Sequence, residues 1–270
     1  MIDPTLQIDR VTLAVSDLDR SVGFYNQGLG LAVSERDERR ALLGPDGSLE
    51  LLALDDPAPA VRGTTGLFHV AWLHPTRAAL SETLRRLVAA GARLDGASDH
   101  GVSEALYLSD PDGLGIELYA DRPRELWRPE PGGELVMYTA ALDLQSLLAT
   151  FEGEAGPEID PATTVGHVHL KVSDVPRALE FYRDRLGFEE QAQMPSAAFV
   201  SAAGYHHHLG LNSWESRGGR PGAGNAPGLR RIDLSFDDPA ALEPLELYGT
   251  RENGQIEIAG PDGELLRFSA

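Results

Sequence analysis

Residues 15–31 read VSDLDRSVGFYNQGLGL, and residues 172–188 read VSDVPRALEFYRDRLGF. Val-Ser-Asp, an Arg, Phe-Tyr and Leu-Gly recur in register, so the chain contains an internal repeat. Each block follows an alternating stretch of strand character, Val11-Thr12-Leu13-Ala14-Val15 in one copy and Val168-His169-Leu170-Lys171-Val172 in the other. Asp17 and Asp174 stand where a helix N-cap belongs, and the apolar residues behind them have helical spacing that ends at a Gly. Each copy therefore begins with a strand and continues into a helix.

A second signature recurs as Gly44-Pro45-Asp46-Gly47, Asp110-Pro111-Asp112-Gly113 and Gly260-Pro261-Asp262-Gly263. Pro presets φ, Asp bonds back to the backbone and Gly takes φ > 0, so the motif is a turn into a final strand. Four modules follow, at about 8–55, 64–120, 165–213 and 229–270. The second has the clearest helix, Arg77 to Ala90, with Leu80, Leu84, Leu87 and Val88 on one face. In the fourth the helix shrinks to Pro239–Leu247. The expected organisation is an N-terminal half, 1–120, a linker, 121–164, with a short helix near Leu142–Phe151, and a C-terminal half, 165–270. So long a connection calls for a topological or functional reason.

Of the 270 residues, 42% are hydrophobic, enough for proper cores. Lys+Arg 23 against Asp+Glu 42 gives a net charge of −19. A surface that acidic repels phosphate backbones and anionic lipid, which argues against nucleic acid and membranes as partners. The sequence has no cysteine, which excludes disulfides, thiolate ligands and cysteine nucleophiles. No signal-peptide pattern opens the sequence and no apolar run has the length of a membrane span, so a cytoplasmic location is expected. A homodimer is allowed but not required.

GHVHLKVSDVPRALEFYRDRLGF resembles the opening of a vicinal-oxygen-chelate module, the βαβββ unit of the glyoxalase/bleomycin resistance/extradiol dioxygenase superfamily. SEALYLSDPDGLGIELYADRP and FVSAAGYHHHLGLNSW resemble its two-domain, catechol-2,3-dioxygenase-like branch. Leu114 departs from the Asn common after the turn. The resemblance implies an α+β fold of four βαβββ modules in two half-barrels. It also implies a metal ligand early in the first strand and in the last strand of contributing modules. Those positions hold Arg10 and Glu50 in module one, His69 and Glu117 in module two, and Arg231 and Arg267 in module four. In module three they hold His167 and one of His206, His207 and His208.

Extradiol enzymes use two His and one carboxylate, which leaves open positions on Fe(II) for substrate and dioxygen. Only modules two and three together supply such a set, His69, His167 and Glu117, so these two modules are expected to pair. Strand alternation sets His207 opposite His206 and His208, and by the family's H-x-x-A-F strand, matched at His207-His208-Leu209-Gly210-Leu211, His207 is the acid/base. His100 and Tyr107 resemble the residues that contact substrate oxygens. The implied function is a metal-dependent extradiol ring-cleaving dioxygenase taking a small catechol- or hydroquinone-type aromatic diol and O2.

Alternatives stay open at this level. With His207 as a fourth ligand the chain would be a glyoxalase-like lyase or isomerase using Zn(II), Ni(II) or Mn(II). The same fold also serves metal-free drug-binding proteins. Each residue alone has an ordinary reading too: His69 as a hydrogen-bonded core His, the triplet as a solvated patch, Tyr107 as core, and the three arginines as ion pairs. Glu117 between Ile116 and Leu118 is harder to dismiss, because a carboxylate on an apolar strand must be paired or coordinated.

Overall fold

The structure, a computed structural model, describes residues 1–128 and 135–270; residues 129–134, inside the expected linker, lie outside the described residues. Module one comprises β1 (Gln7–Val15), α1 (Leu18–Gly23), β2 (Val33–Arg36), β3 (Arg40–Leu43) and β4 (Leu49–Ala53). Module two comprises β5 (Gly66–Leu73), α2 (Arg77–Ala89), β6 (Gly96–Asp99), β7 (Ser103–Ser109) and β8 (Gly115–Asp121). The connection carries β9 (Ala140–Ala141) and α3 (Leu144–Leu148), shorter than the helix expected there. Module three is β10 (Thr164–Lys171), α4 (Val175–Leu179), β11 (Glu189–Met194), β12 (Ala197–Ser201) and β13 (Leu209–Asn212). Module four is β14 (Gly228–Ser235), a 3-10 helix at Pro239–Leu247, β15 (Thr250–Glu252), β16 (Gln255–Ala259) and β17 (Leu265–Ser269). Pro244 inside that segment removes a backbone donor, which explains the absence of a regular α-helix.

Two strand pairings build the architecture. β1 pairs antiparallel with β14, so modules one and four share a sheet running β2-β3-β4-β1-β14-β17-β16-β15. β5 pairs antiparallel with β10, so modules two and three share another, β6-β7-β8-β5-β10-β13-β12-β11. Among the described residues a single bridge, Ile8 to Val165, links β1 to β10. Each sheet therefore draws strands from both halves of the chain.

The recurring sequence motifs join the modules that the sheets leave apart. Asp17 and Asp174 cap α1 and α4, accepting from the backbone N–H of Arg20 and Arg177 at 3.0 and 2.9 Å. Ser16 beside the cap donates its backbone N–H and its hydroxyl to Asp112, at 2.8 and 2.5 Å, with Arg20 paired to the same carboxylate. Both helices run on into a π-helical turn that delivers the repeat's buried Tyr: Tyr25 donates to Asp110 at 3.1 Å, and Tyr182 to Glu264 at 2.5 Å. The Ser173 N–H bonds Asp262 at 3.0 Å, as Ser16 bonds Asp112. Modules one and three thus clasp the Pro-Asp-Gly turns of modules two and four.

Residues 144–158 of the connection after module two pack on the modules before it. Arg77 reaches Ser146 and Arg85 reaches the Leu148 carbonyl, which seats α3 on α2. Buried Arg86 donates to the carbonyls of Leu29, Gly156 and Glu158. Among the described residues no helix is long and apolar enough to cross a membrane.

His74, just after β5, knits three elements together. It is fully buried, with Nδ1 at 3.3 Å from the Tyr119 carbonyl and Nε2 at 3.0 Å from the Thr83 hydroxyl. Burial pushes its pKa down to about 4. An unfolded chain takes up this proton near pH 6.5, whereas the folded one resists until about 4, so stability is present above pH 6.5 and is lost as pH falls towards 4. His74→Gln, which cannot titrate, should lose less stability over that window. Urea unfolding at pH 7 and pH 4.5 should show wild type losing about 2–3 kcal/mol more than the variant. Equal losses would show that His74 does not resist protonation in the fold.

Candidate metal centre

The β5–β10 ladder sets the site. Between two bulges it pairs His167 with Ala71, Val168 with Val70 and His169 with His69. On the other side β8 runs parallel to β5 and places Glu117 beside Ala71, and β7 places Tyr107 beside Glu117. One row across the sheet is therefore Tyr107, Glu117, Ala71 and His167. The next row carries His69 and His169, with Gly210 of β13 beside His169. Residues alternate across a strand, so Val70, Trp72, Ile116, Leu118, Val168 and Leu170 fall on the opposite face and join the main core. Ala71, the smallest side chain in the first row, forms the floor between His167 and Glu117.

On that floor three donors converge. His69 Nε2 lies 2.9 Å from Glu117 Oε2, His167 Nε2 lies 3.2 Å from the same oxygen, and the two imidazole nitrogens are 3.3 Å apart. All three residues are buried, Glu117 being only 3% exposed. Burial opposes ionisation of Glu117, but the neighbouring imidazoles of His167 and His69 outweigh it and hold the carboxyl well below its ordinary range. Burial lowers His167 to about 4, so it is a neutral donor at physiological pH. Donors about 2.0–2.2 Å from a common ion stand about 3 Å apart on one face of an octahedron. The observed spacings match that face, so the residues fit a divalent ion. The arrangement is a two-imidazole, one-carboxylate set, and it is the candidate cluster found among the described residues.

Module three differs from expectation at its last-strand position. Val168 pairs with Leu209, so the residue two places beyond the partner of His167, where module two has Glu117, is Gly210 and not a histidine. A Cβ at Gly210 would come within 2.7 Å of the His169 ring, which occupies the space. The triplet itself precedes β13, in irregular backbone, so strand alternation does not govern it. His206 and His207 are both buried; His207 packs on His167 with ring centroids 4.1 Å apart. His208 turns to the Ala202 N–H at 3.1 Å, away from the cluster. His207 is not among the clustered donors.

A cavity of about 590 Å³ opens over the donors. Phe68, Phe199, Trp214 and Met194 give it apolar walls, and His100, Tyr107, His169 and His207 give it polar points. Burial, with Glu117 adjacent, pushes the Tyr107 phenol well above its ordinary value, so it remains protonated. His100 Nδ1 lies 2.8 Å from the Tyr138 carbonyl, which can only accept, so the proton sits on Nδ1. In the neutral ring His100 Nε2 then accepts from the Tyr107 hydroxyl at 2.7 Å, leaving the phenol oxygen's lone pairs for the cavity. Burial likewise holds His169 and His207 well below the ordinary imidazole value. Among the described residues His169 Nε2 has no hydrogen-bond partner. Its period-two spacing from His167 puts it on the same face of the strand, where the sequence allows an ordinary hydrogen bond across the strand.

The corresponding positions of the other sheet are filled by an ionic network. Glu50 accepts from Thr12 at 2.7 Å, Arg40 at 2.5 Å and Arg231 at 3.1 Å, while Asp233 takes Arg231 and Arg267. Arg10 bonds the Gly47 carbonyl at 2.7 Å.

The family model of the Glyoxalase/Bleomycin resistance protein/Dioxygenase superfamily matches residues 7–118 and 164–268. The chain belongs to this superfamily. It is 46% identical over 224 residues to a catechol-2,3-dioxygenase of Bacillus subtilis (strain 168), covering 80% of this chain and 78% of that protein. A biphenyl-2,3-diol 1,2-dioxygenase 2 of Rhodococcus globerulus is 29% identical over 170 residues, covering 60% of this chain and 83% of that one. Among solved structures, glyoxalase I of Zea mays superposes with a TM-score of 0.59 at 18% identity, over 97% of this chain and 92% of the other. That likeness speaks for the fold alone, with its sheet-rich vicinal-oxygen-chelate layout.

Glu117 carries the negative charge that balances a dication, so Glu117→Gln removes that balance while keeping the shape. Bound metal after dialysis, measured by elemental analysis, should show affinity reduced by more than about 100-fold, beyond the loss typical of an outer-sphere change. Metal content equal to wild type would show that Glu117 is not a ligand.

Proposed function

We propose that this member of the superfamily is an extradiol ring-cleaving dioxygenase acting on a catechol- or hydroquinone-type aromatic diol and O2, with Fe(II) held by His69, His167 and Glu117. The observation that carries the reading is the donor set itself. Among the described residues it has three donors and no fourth: Gly210 stands where a fourth would project, and His207 lies outside the cluster. A set that keeps half the coordination sphere open suits oxygen chemistry better than a closed four-ligand Lewis acid. The 46% identity to a protein named catechol-2,3-dioxygenase supports the same reading.

Bound there, the ion supplies Lewis acidity towards the diol and a redox couple towards dioxygen. The chain's own residues do the remainder. Phe68, Phe199 and Trp214 flank an aromatic ring and exclude water from it. The Tyr107 oxygen, with its hydrogen committed to His100, accepts from a substrate hydroxyl and fixes the ring's orientation. His207, kept neutral by burial, takes a hydroxyl proton and later returns it. Both oxygen atoms of O2 enter the product as the ring C–C bond breaks, so no outside reductant is required.

Protein reconstituted without oxygen with Fe(II), Mn(II) or Zn(II) should be given a panel of aromatic diols in aerated buffer. Fe(II) should support stoichiometric O2 uptake and a yellow ring-opened product, and redox-inert Zn(II) should not. Zn(II)-supported turnover of a glyoxalase substrate without O2 uptake would overturn the proposal. His207→Phe should lower turnover by roughly 10²–10⁴-fold with metal content retained. Loss of metal in that variant would make His207 a ligand instead.

A further inference from the structure

His207 does not stand alone. Its Nδ1 lies 2.8 Å from Nδ1 of His206, and His206 Nε2 lies 2.9 Å from Asp121 Oδ1. Asp121 ends β8, four residues beyond Glu117 and on the same face of the strand. His206 is 1% exposed and packed by the rings of Tyr205, Tyr119 and Trp127 at centroid distances of 4.1, 5.9 and 5.4 Å. It is absent from the cavity wall that His207 lines. Sealed in this way, His206 cannot touch a substrate, so its hydrogen bonds must act through its neighbours.

The directions of those bonds follow from what each group can do. A carboxylate only accepts, so His206 carries its hydrogen on Nε2. A neutral imidazole has one N–H, so Nδ1 of His206 is a bare acceptor. His207 must then donate from Nδ1, which leaves the lone pair on its Nε2. Among the described residues that nitrogen has no hydrogen-bond partner, and its ring borders the cavity. With His207 in the opposite tautomer, two lone pairs would face each other at 2.8 Å.

We infer that His206 and Asp121 form a dyad of positioning residues that locks His207 in the Nδ1–H tautomer and presents its Nε2 lone pair to the substrate hydroxyl. The inference deepens the proposed dioxygenase reading and rests on it for the role of His207. The His207 proton-transfer step is balanced within the site. The proton leaves the diol oxygen for His207 Nε2, Nδ1–H stays bonded to His206, and the same proton returns to the ring-opened product. The logic parallels the carboxylate–imidazole pairing that fixes a tautomer in hydrolase triads, with a second imidazole interposed.

The test has one arm that needs no turnover. Long-range 1H–15N correlation spectra of metal-free protein labelled with 15N-histidine distinguish the two tautomers directly, and His206→Phe and His207→Phe assign the rings. His207 should appear as the Nδ1–H form and His206 as the Nε2–H form; His207 found as Nε2–H overturns the inference. In the Fe(II)-loaded enzyme, Asp121→Asn can donate to His206 and reverse both tautomers. It should lower kcat roughly 10- to 100-fold with KM and metal content little changed, and Asp121→Glu should recover most of the loss. Unchanged kcat in both Asp121→Asn and His206→Phe would also overturn it. If wild type opens no diol, the dioxygenase reading fails while the spectra still decide the tautomers, so the two failures can be told apart.

Discussion

His69 and His167 are 98 residues apart in the chain, and their Nε2 atoms are 3.3 Å apart in the fold. Everything at the site follows from the antiparallel pairing of β5 with β10 that brings them together. The ladder is bulged at both ends of the His167–His169 stretch, and Gly166 is the extra residue of one bulge. A Cβ there would lie 1.8 Å from the Tyr119 hydroxyl, so only glycine lets β10 approach with that tyrosine in place. Tyr119 in turn bonds Tyr205 at 2.6 Å and packs on both His167 and His206. The donor atoms and the supporting rings therefore share one constraint, the close approach of two strands over a glycine.

The four modules are closed into a ring by two kinds of contact. Sheets join one to four and two to three, whereas the clasps join one to two and three to four. This explains why the repeat was so plain in the sequence. Ser16, Arg20 and Tyr25 answer Asp110 and Asp112 across a module boundary, and Ser173, Arg177 and Tyr182 answer Asp262 and Glu264. A buried Tyr hydroxyl and a buried carboxylate each need a partner, so the two ends of the motif constrain each other. Caps, turns and clasp residues are local or paired requirements, and such requirements leave a mark in one sequence.

The site was legible where strand period and residue chemistry coincide. Glu117 lies on an apolar strand, and His69 and His167 lie at the first-strand positions that the family resemblance marks, so the ligand set that the family uses favoured modules two and three. Within the triplet the family's strand motif pointed to His207, the one of the three that lines the cavity, whereas alternation gives no ground for the choice because the backbone there is irregular. Gly210 was overlooked for a related reason: a position that matters by lacking a side chain has no chemistry to read. His206 and Asp121 are joined only by tertiary packing across 85 residues, a relation that no local pattern encodes.

The contrast between the two sheets shows why only one of them suits a cation. Both have a buried glutamate at the same place in the last strand, Glu50 in one and Glu117 in the other. Around Glu50 the compensating charge is supplied by Arg40 and Arg231, with Arg231 and Arg267 on Asp233, so both carboxylates already face cations. Around Glu117 the neighbours are imidazoles, which burial favours in their neutral form at His167. As lone-pair donors the two imidazoles bring no charge of their own, so the carboxylate's negative charge is left for a cation to balance. A divalent ion meets it while using all three lone-pair donors at once. The same fold position thus becomes a structural ion pair or a metal centre according to whether arginine or histidine stands opposite the carboxylate.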